Sequence, residues 1–527
     1  MMRYMCRMRP AHKRKNGIFY TPRLMARLLA SRAIDSRDFL VLDPACGDGI
    51  LLKAAAERYA QFHAMAAPRL VGCDRFKPKE VSPSLEFVRS DFFAYEPGDK
   101  FDVILTNPPY VQSSKIDRAS RERYYGEYAK ERGLSHNLDL WVYFLIKCMK
   151  HLKEGGSIAA VLPWSFLEAE YAQKVRTWLA ESFGRIEVLV LEGAHFEDTV
   201  KRVLLVWLHE YGSTAQCVQL ASAQRCTNAP HFHAISVDMW NSANITVCLN
   251  SGAQDIYRRL EQVDFKALEE YANVAIGVVT GANQYFIHSQ EEAAKLGFPE
   301  GSGLPILTSV KDLDLVAGAK PPDKVLIQFK RMTRKRKKYI AKGRKLRLNE
   351  RVHCQRRQDQ IGSWYKVDPG ITPDAFFTYR VARIPYLILN PDGYQCTNTL
   401  HKISFKHSSK TERKWVQLSL LSLFGQLFLE AGARHYGNGI LKVEPHLLKK
   451  ALVYSSRAKI AGESYRRILQ HISKGDKEMA CAEATRLVAV DAGLDKTLIA
   501  SSFAALNRIR DRRGAVRLRL PIDNYLP

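Results

Sequence analysis

The sequence predicts an α/β protein in which a doubly wound, largely parallel sheet is followed by a second domain of mixed α+β character. Three observations carry the prediction. Short apolar runs alternate with helical patterns from about Gly17 to about Glu210. Polar residues stand directly after four of those runs, which is where an open parallel sheet collects its ligands. Beyond Glu210 the alternation stops, and clusters of Lys and Arg follow later in the chain.

The first run, Phe39-Leu40-Val41-Leu42, enters Asp43-Pro44-Ala45-Cys46-Gly47-Asp48-Gly49, and Ile50 to Ala56 follows with helical spacing. Glycines at a strand-to-helix turn let the backbone approach a nucleotide-like ligand, although a Gly-x-Gly core alone is a weak fingerprint. No Gly-Lys-Ser/Thr is present, which argues against a nucleoside triphosphate cradle. The second run, Leu70-Val71-Gly72-Cys73, ends at Asp74, and the third, Leu85-Glu86-Phe87-Val88, leads to Asp91-Phe92. An acid at the second strand end suits two ribose hydroxyls. A third carboxylate beside an aromatic suits an adenine amino group and its ring. Each aspartate alone is a common solvated turn residue; four strand ends in register define a crevice.

The fourth run, Phe101-Asp102-Val103-Ile104-Leu105, leads to Asn107-Pro108-Pro109-Tyr110. Asn-Pro by itself is an ordinary turn initiator. In this setting each residue meets a need of amino-group methylation. The lone pair of an exocyclic base nitrogen is delocalised into the ring, so the nitrogen attacks only when acceptors hold its two hydrogens. The Asn107 side-chain oxygen and the Pro108 carbonyl supply two acceptors, and Tyr110 offers a face for a base taken out of its stack.

With these residues in this order, the chain resembles the gamma-type N6-adenine DNA methyltransferases that use S-adenosylmethionine. The resemblance implies a class I S-adenosylmethionine-dependent methyltransferase domain, with a Rossmann-like mixed seven-stranded sheet, and a C-terminal α+β target-recognition domain. Gly17-Ile18-Phe19-Tyr20-Thr21-Pro22 resembles the family segment that closes over the methionine part of the cofactor. The implied cofactor residues are Thr21, Pro22, Asp43, Ala45, Gly47, Gly49, Asp74, Asp91, Phe92 and Asn107. Asn107, Pro108 and Tyr110 are the implied catalytic residues, with Tyr110 and Phe196 stacking on the target base. For Phe196 the alternative is a hydrophobic loop residue covering the sheet. Asn137-Leu138-Asp139-Leu140-Trp141 resembles the start of the helix that walls the cofactor pocket, and Gly155 to Pro163 resembles the next core strand. No metal is implied.

The chain has 527 residues and a formal net charge of +26, so a polyanionic partner is expected, and double-stranded DNA is the one the chemistry suggests. Lys330, Arg331, Arg334, Lys335, Arg336, Lys337, Lys338, Arg344 and Lys345 are the expected DNA-binding residues, with a second cationic cluster from Arg508 to Arg519. A solvated charged loop is the alternative for both. Val274 to Ile287 and Ala433 to Pro445 resemble parts of the family's target-recognition region. The domains expected are a basic extension over 1–16, the catalytic domain over 17–210, a connection over 211–250 and the target-recognition domain over 251–527. Ten scattered cysteines without Cys-x-x-Cys, and basic residues at the start with no apolar region after them, suggest a cytoplasmic protein without a signal peptide or membrane span. A monomer is expected, with any restriction endonuclease a separate protein. The alternatives on the same fold are an RNA or protein-glutamine N-methyltransferase and a catalytically inactive DNA-binding regulator. Cytosine N4 methylation uses similar geometry, but its motif usually begins with serine.

Overall fold

The computed structural model describes residues 21–35, 39–63, 68–76, 85–191, 195–196, 199–200, 203–223, 230–241, 245, 253–309, 322–381, 383–432, 434–436, 440–512 and 515–520. The chain divides into two compact units, Met1–Ser251 and Gly252–Pro527. Among the described residues no helix is long and apolar enough to cross a membrane.

The first unit is built on one sheet. Helix α1 (Arg23–Ala33) precedes β1 (Leu40–Asp43), and α2 (Ile50–Tyr59) connects β1 to β2 (Arg69–Asp74). The chain continues through β3 (Leu85–Arg89), β4 (Phe101–Thr106), α3 (Arg118–Tyr124), α4 (Leu140–Lys150), β5 (Leu152–Pro163), α5 (Glu170–Ser182), β6 (Phe183–Leu191) and β7 (Val203–Tyr211). Two further strands, β8 (Cys217–Ala223) and β9 (His233–Ser236), are followed by the short α6 (Val237–Asn241).

The strand order is β9-β8-β6-β7-β5-β4-β1-β2-β3. Strands β3, β2, β1, β4 and β5 run parallel, whereas β7 is antiparallel to both β5 and β6. The seven strands expected from sequence are therefore joined by two more. Strand β8 pairs in parallel with β6, and β9 closes that edge antiparallel to β8. The stretch expected as a connection over 211–250 thus supplies sheet. On β8, paired on both sides near the margin of the sheet, Val218, Leu220 and Ala221 are buried while Gln219 and Ser222 stay partly exposed.

Burial explains why the middle of the sheet is so apolar. Ile158 to Leu162 on β5 and Leu204 to Leu208 on β7 are fully buried, as expected of central strands covered on both faces. Burying each large side chain contributes about 1.5–3 kcal/mol before the entropy of ordering the chain is counted. Gly72 on β2 permits a close approach, because a Cβ there would stand 3.0 Å from Cys46 Sγ and 3.1 Å from Leu52 on α2.

Among its described residues the second unit holds a three-stranded sheet, a two-stranded sheet and two four-stranded sheets. Of the four-stranded pair, Ala272–Ile276, Leu400–Phe405, Ala375–Thr378 and Leu387–Leu389 form one, antiparallel throughout. Ile287–Ser289, Lys324–Ile327, Gly303–Leu307 and Gln395–Cys396 form the other. Helices α7 (Arg334–Lys345) and α8 (Val352–Ile361) lie between the strands in sequence, and three long helices, Gly462–Ser473, Lys477–Asp491 and Lys496–Arg512, end the unit.

Candidate active site

Strand β1 delivers Asp43 to the sheet's carboxyl edge, where the backbone turns through Gly47 and Gly49 at φ values of 51° and 76°. Only glycine adopts that left-handed conformation without strain. A Cβ on Gly49 would meet no atom within 4 Å, so the turn opens onto free space of the kind a bound cofactor needs. Asp74, at the end of β2, accepts the Gly47 N–H at 3.0 Å through Oδ2 and the Phe76 N–H at 2.9 Å through Oδ1. Each oxygen so held keeps a lone pair for a ribose hydroxyl. Asp43 is 1% exposed and accepts the Ala45 N–H at 3.1 Å. Burial pushes its carboxyl well above the ordinary value; the Ala45 bond opposes that shift, and the charges of Asp74 and Asp48 add to it.

Asp91, beyond β3, accepts the Phe93 N–H at 3.0 Å and pairs with the Arg75 guanidinium. Its neighbour Phe92, implied by the resemblance to lie against the cofactor's adenine, is buried against α4. The ring is 3% exposed, its centroid lies 4.6 Å from that of Phe144 on α4, and the Lys147 ammonium sits 5.4 Å over it. Phe92 thus packs against Phe144 and Lys147 of α4.

Strand β4 ends in the Asn-Pro-Pro-Tyr loop. Asn107 Nδ2 donates to Thr21 Oγ1 at 3.1 Å, which commits the nitrogen end of the amide to the segment before α1. No backbone hydrogen bond among the described residues ends on the Pro108 carbonyl, whereas the Pro109 carbonyl accepts the Val111 N–H at 3.2 Å. The Tyr110 hydroxyl donates to the Val161 carbonyl of β5 at 2.9 Å, fixing the ring from its far end while the residue stays partly exposed. Burial of that hydroxyl pushes its pKa up, so it remains a neutral donor.

The structure thus gathers Thr21, Asp43, Gly47, Gly49, Asp74, Asp91, Asn107, Pro108 and Tyr110 at one edge of one sheet. Phe196 pairs through its backbone with Thr199 in a two-stranded hairpin, and its side chain lies outside the described residues, as do residues 1–20. Sequence reasoning missed the Thr21 bond to Asn107. It also missed Asp139, just before α4, whose carboxylate takes the Ser113 N–H and the Tyr171 hydroxyl.

In the second unit the cationic run is an ordered helix with a buried stripe. Arg336, Tyr339, Ile340 and Gly343 face inward from α7, while Arg334, Lys335, Lys337, Lys338, Arg344 and Lys345 face solvent, as do Lys330 and Arg331 before it. Arg336 is therefore corrected from the DNA-binding set. At 5% exposure it donates to the carbonyls of Gly297 at 3.0 Å and Arg331 at 2.8 Å, with its guanidinium 4.7 Å over Phe298. Beside this helix lies a cleft of about 800 Å³ whose lining includes Gln284, His288, Lys342, Arg351, His353 and Asn398. Gly277 serves packing, since a Cβ there would fall 2.1 Å from the Thr397 carbonyl oxygen. Residues 433 and 437–439, within the second family-like segment, lie outside the described residues.

Sequence comparison places these elements among known proteins. The chain matches the C-terminal domain of type II methyltransferase M.Eco57I over residues 241–489, the Eco57I restriction-modification methylase over 66–194 and the N-6 DNA methylase over 3–76. Type II methyltransferase M.AccI of Acinetobacter calcoaceticus is 25% identical over 479 residues, which cover 84% of this chain and 86% of that protein. Type II methyltransferase M.TthHB8I of Thermus thermophilus is 32% identical over 187 residues, covering 34% of this chain and 42% of its own length. The fold is similar to that of the type IIL restriction-modification enzyme MmeI, solved in complex with DNA, with a TM-score of 0.53 at 11% identity over 93% of this chain and 72% of that one.

Proposed function

Because the chain belongs to the gamma-type N6-adenine DNA methyltransferases and has the class I S-adenosylmethionine-dependent methyltransferase fold, we propose that it methylates N6 of an adenine extruded from duplex DNA. The reading makes it the modification component of a restriction-modification system. The observation that carries it is the Asn-Pro-Pro-Tyr loop at the end of β4, beside the glycine turn and Asp74, with its asparagine amide and tyrosine ring both held from behind.

S-adenosylmethionine, held by Thr21, the Gly47–Gly49 turn, Asp74 and Asp91, would supply an electrophilic sulfonium methyl. Asn107 Oδ1 and the Pro108 carbonyl accept the two amino hydrogens of the substrate and draw its nitrogen toward tetrahedral geometry, releasing the lone pair from the ring. The Tyr110 face supports the base once it has left the stack. No residue need act as a general base, since the alkylated ammonium is acidic enough to lose its proton to water. Positioning and preorganised acceptors carry the acceleration. The exposed cations of α7, with Lys342 and Arg351 of the neighbouring cleft, fit phosphate contacts, and Gln284 and Asn398 fit base edges.

The test is transfer of labelled methyl groups to duplex DNA, followed by digestion to nucleosides. Label in N6-methyladenine is expected. Label in N4-methylcytosine, in RNA or in protein would overturn the reading, and cofactor binding without transfer would favour an inactive DNA-binding regulator.

A further inference from the structure

Asp139 occupies the N-cap position of α4, where an aspartate ordinarily accepts an N–H from its own helix. It makes no such bond. Its Oδ1 reaches 26 residues back in sequence to the Ser113 N–H at 3.0 Å, and its Oδ2 accepts the Tyr171 hydroxyl of α5 at 2.9 Å. The first helical N–H, that of Leu140, is spent on the same loop, donating to the Val111 carbonyl at 2.9 Å. The two bonds run in opposite directions across three residues, so the start of α4 and the loop after Tyr110 cap one another.

This clasp is anchored in rigid material. Nine of the eleven residues of α4, Trp141 to Met149, are buried, and β5 follows the helix directly. That same strand accepts the Tyr110 hydroxyl through Val161. The segment from Tyr110 to Ser113 is therefore suspended at three points from a single helix-strand unit. A helix that gives up its own side-chain cap forgoes stability. The carboxylate's placement is accounted for if it fixes the loop.

We infer that Asp139 is a positioning residue for transfer: it holds the loop that carries Tyr110, so that the platform for the extruded base is in place before the base arrives. Resting on the proposed role of Tyr110, it adds a residue that touches neither substrate nor cofactor. Loss of the clasp should lower kcat and the efficiency of base extrusion, leaving cofactor affinity alone.

The experiment compares Asp139→Ala, Asp139→Asn and Tyr171→Phe in the full chain. Expected for Asp139→Ala is a tenfold to hundredfold fall in kcat on a matched duplex, with cofactor affinity by calorimetry within twofold of wild type. The fall should shrink on a duplex whose target adenine is unpaired. Asp139→Asn keeps an oxygen for the Ser113 N–H and should recover most of the rate; Tyr171→Phe should fall between the two. In hydrogen exchange, the amides from Val111 to Ser113 should lose protection in Asp139→Ala and keep it in Asp139→Asn. Unchanged kcat in Asp139→Ala, or losses of rate, cofactor affinity and melting temperature in step across both Asp139 variants, would overturn the assignment in favour of plain structural support. If the wild type methylates no DNA, the proposed function fails, while the exchange measurement still judges the clasp.

Discussion

Tyr110 presents two separable assets, a ring face and a hydroxyl, and two substitutions divide them. Tyr110→Phe keeps the ring and removes the hydroxyl with its 2.9 Å bond to the Val161 carbonyl. A hydrogen bond of this kind contributes about 0.5–1.5 kcal/mol net, so kcat/KM should fall by roughly twofold to tenfold as the ring loses its tether. Tyr110→Ala removes the face as well. Base-aromatic stacking is worth about 1–3 kcal/mol, a further factor of roughly five to 150. The assay is initial-rate methyl transfer to a matched duplex and to one in which the target adenine lies opposite an abasic site. The Ala variant's deficit should narrow on the second, where stacking has less unpairing cost to offset. If Tyr110→Phe were as damaging as Tyr110→Ala, or if both duplexes lost rate equally, the ring face would not be supporting an extruded base.

Three further outcomes are expected. Asn107→Ala should lower kcat by about a hundredfold to a thousandfold, as for loss of a preorganised polar group, with DNA binding by gel shift intact; near-normal transfer would remove Asn107 from the chemistry. Neutralising Lys337, Lys338, Arg344 and Lys345 together should weaken binding to all DNA sequences alike and flatten its salt dependence, whereas Arg336→Ala should leave that slope unchanged and lower the melting temperature, because the carbonyls of Gly297 and Arg331 lose their donor and the Phe298 ring loses its cation. An altered slope in Arg336→Ala would return that side chain to the DNA surface. For Asp43, the raised folded-state pKa means that the native protein binds the extra proton between the ordinary value of 3.8 and the raised one. Its contribution is whole below the ordinary value and fades as pH climbs through the raised one. Asp43→Asn should therefore melt higher than wild type at mildly alkaline pH without cofactor, converge with it in acid and bind cofactor more weakly; a lower alkaline melting point would show the ionised carboxylate to be stabilising.

The catalytic half was legible because its signals are local. A strand, a turn and the residue at the strand's end lie within ten positions of one another, so Asp43, Asp74 and Asn107 announce both their elements and their places. What stayed hidden depends on partners far along the chain. Phe92 looks available until Phe144 covers it. Asp139 looks like an ordinary helix cap, and only the fold brings Ser113 and Tyr171 to it. Strands β8 and β9 fall in a stretch that reads as an irregular connection with some strand, because Ser, Ala, Asn and Thr dilute the apolar pattern there, and only the pairing shows that both extend the main sheet. In the cationic run, the inward spacing of Arg336, Tyr339, Ile340 and Gly343 is masked because its first member carries the same charge as the outward residues.

That inward stripe has a consequence for how the protein would grip a polyanion. A charged tail must freeze before its cations can act together, and the freezing consumes part of the attraction. Helix α7 is already welded along one side, so its outward ammonium and guanidinium groups rise from a rail of fixed pitch. Only the side-chain tips remain to settle when phosphates approach, and most of the gain from displaced salt ions is left over for holding on.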